Sequence, residues 1–230
     1  MVLVAHRGAS ALAPENSLDA IVLAAKYRVD FAEVDIRASQ DLELLLVHDE
    51  EIVAPDTGER RSVAELDPGT LRALEADGRR PARLGDALAT AARCDIGLYL
   101  ELKDPRAVQP LAAMLRTRAT PDRPNLIIGS FQPSLVAEMR ELAPEVPRSV
   151  LFARTTRRAV LETCRAASAV YAHLCARPIR RSTVDALHRA GLQVMAPHTN
   201  QLEEAQRFRR RGIDVIASDD PRLLRALVAG

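Results

Sequence analysis

The feature that most constrains the fold is a regular alternation of short apolar segments with amphipathic segments of helical period in the second half of the chain. Strands that alternate with helices in this way form a parallel sheet with the helices packed against it. The predicted strand–helix pairs cover residues 126–128 and 133–142, 149–152 and 157–166, 169–171 and 179–190, 192–195 and 202–211, and 215–217 and 222–228.

The first half of the chain carries strand-like segments at residues 2–5, 31–36, 44–47 and 96–103, and helical patterns at 18–27, 71–77 and 84–93. The connection between 31–36 and 44–47 is too short for a crossover helix, so these segments should pair as an antiparallel hairpin. Eight parallel strands then remain, and no glycine-rich dinucleotide fingerprint favours an open sheet. The sequence therefore predicts a (β/α)8 TIM barrel, one α/β domain over residues 1–230, with the hairpin and a polar loop insertion at 50–70.

The hairpin segment also carries the strongest functional signal. Glu33 and Asp35 lie two residues apart in an apolar run, and side chains two apart on a strand share a face. Burying one unpaired carboxylate costs several kcal/mol, so two adjacent ones indicate a bound cation. The return arm of the hairpin delivers His48 beside Glu33, which would bring an imidazole to the same place.

Further polar residues fall at predicted strand ends, where the active site of a barrel lies. They are His6, Arg7, Glu101, Lys103, Ser130 and Asp219. Three carboxylates are hard oxygen ligands and favour Mg²⁺ or Ca²⁺. Two imidazoles could act as general acid and base, and Arg7 and Lys103 would suit a phosphate. Each acid alone could instead be solvated or cap a helix, and Lys103 could simply neutralise Glu101.

Three sequence motifs resemble the glycerophosphodiester phosphodiesterases: AHRGAS followed by ENS, then AEVDIRASQDLELLLVHD, then LYLELK. A weaker resemblance continues through IIGSF and GIDVIASDDP to the end of the chain. It implies His6 and His48 as the catalytic acid/base pair, and Glu33, Asp35 and Glu101 as ligands of a divalent cation. It also implies Arg7 and Lys103 beside the phosphate, and Glu15 as a site-lining acid. The implied reaction is metal-dependent hydrolysis of a glycerophosphodiester to glycerol 3-phosphate and an alcohol.

The chain departs from the family pattern around the expected substrate. The Arg-Thr-Thr run after His48 is replaced by EEIVAPDTGERR, the Asp-Gly turn is Asp41-Leu42, and the W-T-V-N segment is residues 197–200, PHTN. Phe131 is the nearby aromatic that could replace the missing Trp. These changes leave two alternatives open: a catalytically silent or altered-specificity phosphoester-binding barrel, and a phospholipase-like (phospholipase D-like) barrel that acts on intact lipid.

Composition excludes other classes. A net charge of +1, from 32 basic and 31 acidic residues with no basic stripe, argues against a nucleic-acid partner and leaves a small-molecule substrate. Three cysteines without a CxxC motif suggest reduced thiols and a cytoplasmic protein. The N-terminal segment lacks the features of a signal peptide, and no apolar run reaches membrane-spanning length.

Asn16 or Ser17 should cap the first helix. His198 should face the site, and His173 and His188 should be surface or strand-edge residues.

Overall fold

The computed structural model of the protein describes residues 1–53, 58–76, 81–117 and 124–229. The strands are β1 Val2–Ala5, β2 Phe31–Ala38, β3 Leu44–Leu46, β4 Glu51–Val53, β5 Arg60–Ser62, β6 Gly97–Leu102, β7 Leu126–Ser130, β8 Arg148–Phe152, β9 Tyr171–Leu174, β10 Gln193–Met195 and β11 Val215–Ser218. The helices are α1 Leu18–Lys26, α2 Pro68–Ala76, α3 Leu84–Arg93, α4 Val108–Thr117, α5 Pro133–Leu142, α6 Arg157–Ala166, α7 Arg181–Arg189, α8 Leu202–Arg210 and α9 Pro221–Ala229.

Within these described ranges, eight parallel strands close into a barrel in the order β1, β2, β6, β7, β8, β9, β10 and β11. The barrel closes between the two ends of the chain, because β1 pairs with β2 on one side and with β11 on the other. At that junction Ala5 lies opposite Ser218, so the residues that follow β1 and β11 become neighbours. The predicted (β/α)8 barrel is therefore confirmed.

The barrel strands are largely buried on both faces, which is why they read as almost continuous apolar runs. Their outward side chains and the apolar faces of the helices form the main core. Their inward side chains fill the barrel with Val4, Tyr99, Ile127, Leu151, Met195, Val215 and Ala217. The polar residues at the carboxyl ends of the strands lie directly above this interior layer.

Tyr99 is the largest side chain of the interior layer, and it fits only because Gly129 faces it from β7. A Cβ atom on Gly129 would lie 2.4 Å from the Tyr99 hydroxyl oxygen and 2.8 Å from its Cζ. Such distances are far inside van der Waals contact, so the absence of a side chain at position 129 makes room for the tyrosine. Tyr99 in turn lies two residues before Glu101 on the same inward face of β6.

The predicted hairpin is also present, with β3 antiparallel to β2 and Ile36 opposite Leu46. Leu42, in its turn, adopts a φ of 65°, the left-handed conformation that glycine takes without strain. This is the position where the family resemblance leads one to expect glycine, so the departure from the pattern leaves a strained, 47% exposed leucine.

The prediction of a plain polar loop at 50–70 is wrong for the described part of that segment. Strands β4 and β5 pair there, a 3₁₀ turn follows at Val63–Glu65, and α2 begins at Pro68. A small separate core gathers Leu45, Val63, Leu66, Leu71 and Leu74. The polar residues between these widely spaced apolar positions obscured their common packing. Residues 54–57 of the insertion, and Asp77 at the end of the predicted helix 71–77, lie outside the described residues.

Helix α4 and strand β9 also differ from prediction. Helix α4 was not predicted, because Pro110 interrupts its pattern, yet a proline in the first turn forfeits no intrahelical hydrogen bond. Strand β9 begins at Tyr171, two residues into the predicted strand 169–171, and continues through His173 to Leu174. No helix within the described ranges combines the length and apolar character that crossing a membrane would require.

Candidate active site

A cavity of about 270 Å³ opens at the carboxyl ends of the barrel strands. The predicted site residues that line it are His6, Arg7, Glu33, Asp35, His48, Glu101, Lys103 and Phe131. Glu15 lies outside its lining but reaches it through Arg7, whose Nη1 donates to both carboxylate oxygens of Glu15 at 2.9 Å. A larger cleft of about 770 Å³ opens at the amino ends of the strands and contains none of these residues. The candidate residues thus converge on the end of the barrel where catalytic sites lie.

The three predicted metal ligands form one cluster. Asp35 on β2 lies opposite Glu101 on β6 in the parallel register, and Glu33 precedes Asp35 by two residues on the same face. Candidate ligand oxygens of the three carboxylates lie within 4.8 Å of one another. The residues are buried, with 4%, 1% and 7% of Glu33, Asp35 and Glu101 exposed. Three buried carboxylates at this spacing offer the donor set that Mg²⁺ and Ca²⁺ prefer.

Glu33 carries the clearest electrostatic imbalance in this cluster. Its Oε2 accepts a hydrogen bond from the backbone nitrogen of Arg7 at 2.8 Å. Its Oε1 is buried and accepts none from the described residues. Burial, followed by repulsion from Asp35 and Glu101, raises the pKa of Glu33 well above its usual value. An unsatisfied carboxylate oxygen in an acidic cluster is the arrangement that a cation would relieve.

Asp35 is held in place by Asn16, which the sequence offered only as one of two possible caps of the first helix. Asn16 Nδ2 donates to Asp35 Oδ2 at 2.9 Å, and the backbone nitrogen of Asp35 donates to Asn16 Oδ1 at 2.9 Å. Asn16 adopts a φ of 55°, while Ser17 caps α1 by accepting from the backbone nitrogen of Ala20. The ENS motif was the available signal, but the spacing could not show which residue caps the helix and which reaches Asp35.

Lys103 and Arg7 supply positive charge beside the acids. Lys103 Nζ lies 3.1 Å from Asp35 Oδ1 and also contacts Glu101 Oε1, and Arg7 Nε lies 3.4 Å from Asp35 Oδ2. Although burial lowers the pKa of Lys103, attraction to Asp35 and Glu101 outweighs it and the net pKa is raised. The neutralising contact with Glu101, considered as an alternative role, is therefore present. Lys103 also lines the cavity.

Each of the two predicted catalytic histidines has a carboxylate partner. His6 Nδ1 lies 2.7 Å from Asp219 Oδ1, and His48 Nδ1 lies 2.8 Å from Asp49 Oδ1. The hydrogen bond with His6 is the main cause that holds the pKa of Asp219 well below its usual value. Asp49 is 79% exposed, whereas Asp219 is 26% exposed. Asp219 was recognised from sequence only as a strand-end residue, and its partnership with His6 was missed.

His198 lies beside Pro197, the position of the missing Trp, and it stacks on His6. The two rings are 4.2 Å apart and 7° from parallel. Burial, followed by repulsion from His6, lowers the pKa of His198. The backbone oxygen of His198 also accepts from Arg177 Nη2 at 2.9 Å, which ties this segment to α8 through the ion pair of Arg177 with Glu204. The prediction that His198 faces the site holds, since it lines the cavity.

The interpretation of His173 as a surface or strand-edge residue is wrong. His173 lies on the inward face of β9, lines the cavity, and meets the Tyr99 ring edge-on at 6.3 Å. Burial, followed by repulsion from His6, lowers its pKa to about 3, so this imidazole is neutral. His188, in contrast, lies at the surface beside Asp214. A polar side chain inside a closed strand barrel could not be told from an edge residue by sequence pattern.

Phe131 and Ser130, at the end of β7, have different roles. Phe131 is 45% exposed at the cavity, and Lys103 Nζ lies 5.8 Å from the centre of its ring. Ser130 Oγ donates to the backbone oxygen of Leu102 at 2.7 Å and accepts from the backbone nitrogen of Gln132. Ser130 therefore fixes the ends of neighbouring strands rather than facing the cavity.

Comparisons with known proteins agree with this geometry. The Glycerophosphoryl diester phosphodiesterase family profile matches residues 6–223. The Bacillus subtilis protein YhdW, provisionally named a glycerophosphodiester phosphodiesterase, is 28% identical over 96% of this chain and 95% of its own length. A glycerophosphodiester phosphodiesterase of Caldanaerobacter subterraneus subsp. tengcongensis is 23% identical over 99% of this chain and 97% of its own length.

Solved structures show the same fold. A phosphodiesterase of Oleispira antarctica, solved with its product sn-glycerol-3-phosphate, superposes with a TM-score of 0.88 at 21% identity, covering 100% of this chain and 97% of the other. A glycerophosphodiester phosphodiesterase of Thermotoga maritima superposes with a TM-score of 0.80 at 19% identity, covering 99% and 98%. The family profile spans nearly the whole described barrel and every residue of the candidate site. The chain belongs to the glycerophosphoryl diester phosphodiesterase family.

Proposed function

We propose that the protein hydrolyses glycerophosphodiesters to glycerol 3-phosphate and an alcohol. In this proposal Glu33, Asp35 and Glu101 hold Mg²⁺ or Ca²⁺, and His6 and His48 are the general acid/base pair. The observation that carries it is the cluster of three buried carboxylates lining the same cavity as two carboxylate-paired imidazoles. The family match and the glycerol-3-phosphate complex of the Oleispira antarctica relative support the substrate class.

The donor set fits a hard divalent cation. It consists of carboxylate oxygens alone, and one of them, Glu33 Oε1, is buried without a hydrogen bond from the described residues. When bound, the cation supplies the positive charge that offsets both the acidic cluster and the phosphodiester. Asn16 and the backbone nitrogen of Arg7 hold Asp35 and Glu33 in orientation. Such outer contacts commonly tune metal affinity.

The phosphate group would bind to positively charged side chains on either side of the acids. Arg7 is oriented by Glu15 and lies against Asp35. Lys103 is oriented by Asp35 and Glu101. A guanidinium offers planar paired donors and an ammonium offers a compact charge, so together they can bind different phosphate oxygens. Their fixed positions would orient the phosphodiester for attack.

The two histidines would move the protons. The Nδ1 atom of each is engaged by a carboxylate, which leaves its Nε2 atom to exchange a proton with the substrate. One imidazole takes the proton of the attacking hydroxyl or water, and the other gives a proton to the oxygen of the departing alcohol. The P–O bond to that alcohol breaks as the new P–O bond forms. If water is the attacking group, glycerol 3-phosphate forms directly, and proton exchange with solvent restores both imidazoles. If a glycerol hydroxyl attacks, the product is a cyclic phosphodiester, and water then opens it with the two imidazoles in exchanged roles, which restores both.

We also infer that residues 1–230 act as one domain in the cytoplasm. The unpaired state of Cys94, Cys164 and Cys175 supports that compartment, because a reducing environment keeps thiols free. The match of the family profile to residues 6–223 supports a single catalytic unit.

A coupled assay for glycerol 3-phosphate release tests the proposal. Glycerophosphodiesters with several headgroups would be offered to the protein with chelator, with Mg²⁺ and with Ca²⁺. We expect release with a metal, none with chelator, and none from Asp35→Asn. Glu138→Gln, an exposed carboxylate that accepts from Gln109, serves as the control. A catalytically silent barrel would bind substrate without release. A phospholipase D-like enzyme would give no glycerol 3-phosphate from these substrates and would instead release free headgroup from intact phospholipid, which is offered in a separate reaction. Either result would contradict the proposal.

A further inference from the structure

The junction where the barrel closes carries a hydrogen-bonded chain that ends on His6. His6 follows β1 and Asp219 follows β11, and these two strands are paired neighbours. Asp219 Oδ1 lies 2.7 Å from His6 Nδ1, and Asp219 Oδ2 accepts from Asn200 Nδ2 at 2.6 Å. Both oxygens of the carboxylate are therefore engaged by a nitrogen, one from each side.

Asn200 is itself held in a single orientation. Its Oδ1 accepts from Ser218 Oγ at 2.9 Å and from the backbone nitrogen of Asp219 at 3.0 Å. The amide oxygen is thus directed at two donors, one of them a backbone N–H, and the amide nitrogen must face Asp219. The segment before it is anchored as well, since the backbone nitrogen of Thr199 donates to the backbone oxygen of Ala217.

We propose that Asp219 and Asn200 are positioning residues that fix the tautomer of His6, with the proton on Nδ1 and the lone pair on Nε2. A carboxylate is only an acceptor, so the ring nitrogen that faces Asp219 has to be the one that carries hydrogen. The consequence for catalysis rests on the proposed function, because Nε2 is then the atom that accepts a proton. The tautomer itself can be measured without any substrate.

Two features of the surroundings favour this role over a purely structural one. His198 stacks parallel on His6 at 4.2 Å and restricts tilting of its ring, so the hydrogen bond to Asp219 fixes the remaining rotation. The partner of the other histidine is different, because Asp49 is 79% exposed and the described contacts give it no second support comparable to Asn200. The ring orientation of His6 is therefore more tightly fixed by its neighbours than that of His48.

The substitution Asp219→Asn makes the proposal sharply testable. Asn200 still presents its amide nitrogen, so the new amide at position 219 must turn its oxygen toward Asn200. The amide nitrogen of residue 219 then faces His6 Nδ1. Because an amide nitrogen is a donor, His6 Nδ1 has to act as the acceptor and carry no proton. The His6 proton moves to Nε2, which can no longer accept a proton. Asp219→Ala removes the carboxylate that orients His6 but enforces no tautomer, because a water molecule can act as either donor or acceptor toward His6 Nδ1.

We expect Asp219→Asn to lower kcat by about 100-fold to 10,000-fold, the scale of a lost general base, with KM changed by less than about threefold. Asp219→Ala should lose less activity than Asp219→Asn. Asn200→Asp in the Asp219→Asn background restores an acceptor for the new amide nitrogen, frees its oxygen for His6, and should recover at least about tenfold in kcat. Asp220→Asn, an adjacent carboxylate paired with Arg222, is the control and should leave kcat unchanged.

The second measurement is ¹⁵N NMR of the imidazoles in metal-free protein, with thermal denaturation as a check that each variant folds. We expect His6 to carry its proton on Nδ1 in the wild type and on Nε2 in Asp219→Asn. The same tautomer in both proteins would overturn the proposal, and so would a larger activity loss in Asp219→Ala than in Asp219→Asn. If the proposed reaction itself were wrong, activity would be absent throughout while the tautomer change remained visible.

Discussion

Gly129 offers the most direct test of how the barrel interior supports the site. The substitution Gly129→Ala places a methyl group 2.4 Å from the Tyr99 hydroxyl, 2.8 Å from Tyr99 Cζ and 3.0 Å from Leu151 Cδ1. Tyr99 is 1% exposed and Leu151 3% exposed, so neither side chain can swing into solvent. The strain has to be taken up inside the barrel, next to the carboxylate cluster.

The expected size of this effect follows from the packing. Extra methyl groups in close-packed cores usually lower the free energy of unfolding by about 1–3 kcal/mol. For a domain of this length each kcal/mol lowers Tm by about 2–4 °C, which gives a fall of about 2–12 °C. Because Tyr99 lies two residues before Glu101 on the same inward face, its displacement should also weaken metal binding.

Thermal denaturation of Gly129→Ala, Tyr99→Phe and the double variant is the appropriate assay. Tyr99→Phe removes the hydroxyl that the new methyl meets first, so the double variant should be more stable than the sum of the single effects predicts. Relief should be partial, since the ring carbon at 2.8 Å remains. An unchanged Tm in Gly129→Ala, or strictly additive effects in the double variant, would refute the idea that the missing side chain at position 129 makes room for Tyr99.

The remaining predictions concern the site itself. Glu33→Gln should abolish metal binding. In chelator it should nevertheless raise Tm by about 3–12 °C, because the new amide nitrogen can donate a hydrogen bond to a neighbouring carboxylate, and such a bond is worth about 1.5–3 kcal/mol. The pKa of Glu33 is raised above its ordinary 4.5 in the folded protein, so the wild type loses stability as the pH rises through the folded pKa. The difference in Tm between Glu33→Gln and the wild type should therefore widen over that range of pH. A constant difference would contradict this. His6→Ala and His48→Ala should each lower kcat by about 100-fold or more with little change in Tm or metal affinity, and near-normal turnover would remove that histidine from the mechanism. Glycerophosphocholine should be preferred over glycerophosphoethanolamine by no more than about tenfold in kcat/KM, because the Phe131 face is partly occupied by Lys103; a hundredfold preference would reveal an aromatic wall elsewhere.

Much of the fold could be predicted because its determinants are local and periodic. The alternation of strands and helices, the hairpin and the bounds of α3, α5 and α6 all follow from apolar spacing. The placement of Glu33, Asp35 and Glu101 at one point follows from the same rules, since the closed parallel barrel fixes which strand ends meet. Their roles as metal ligands remain a prediction.

What could not be predicted depends on contacts between residues far apart in sequence. Asp219 meets His6 only because the last strand pairs with the first. Asn200 reaches Asp219 from the loop between β10 and α8. His173 looked like an edge residue because a polar side chain in a strand carries no mark of the face it will occupy. Helix α4 and the small core of the insertion were hidden by a proline and by intervening polar residues.

The closure of the barrel has a consequence for how the enzyme comes into being. His6 is made by the ribosome long before Asp219, and the two meet only after β11 has docked beside β1. A chain that ends before β11 would lack the carboxylate that faces His6 in the closed barrel. If His6 acts in catalysis as proposed, full activity would therefore be reached only after the last strand has been synthesised and has docked beside β1.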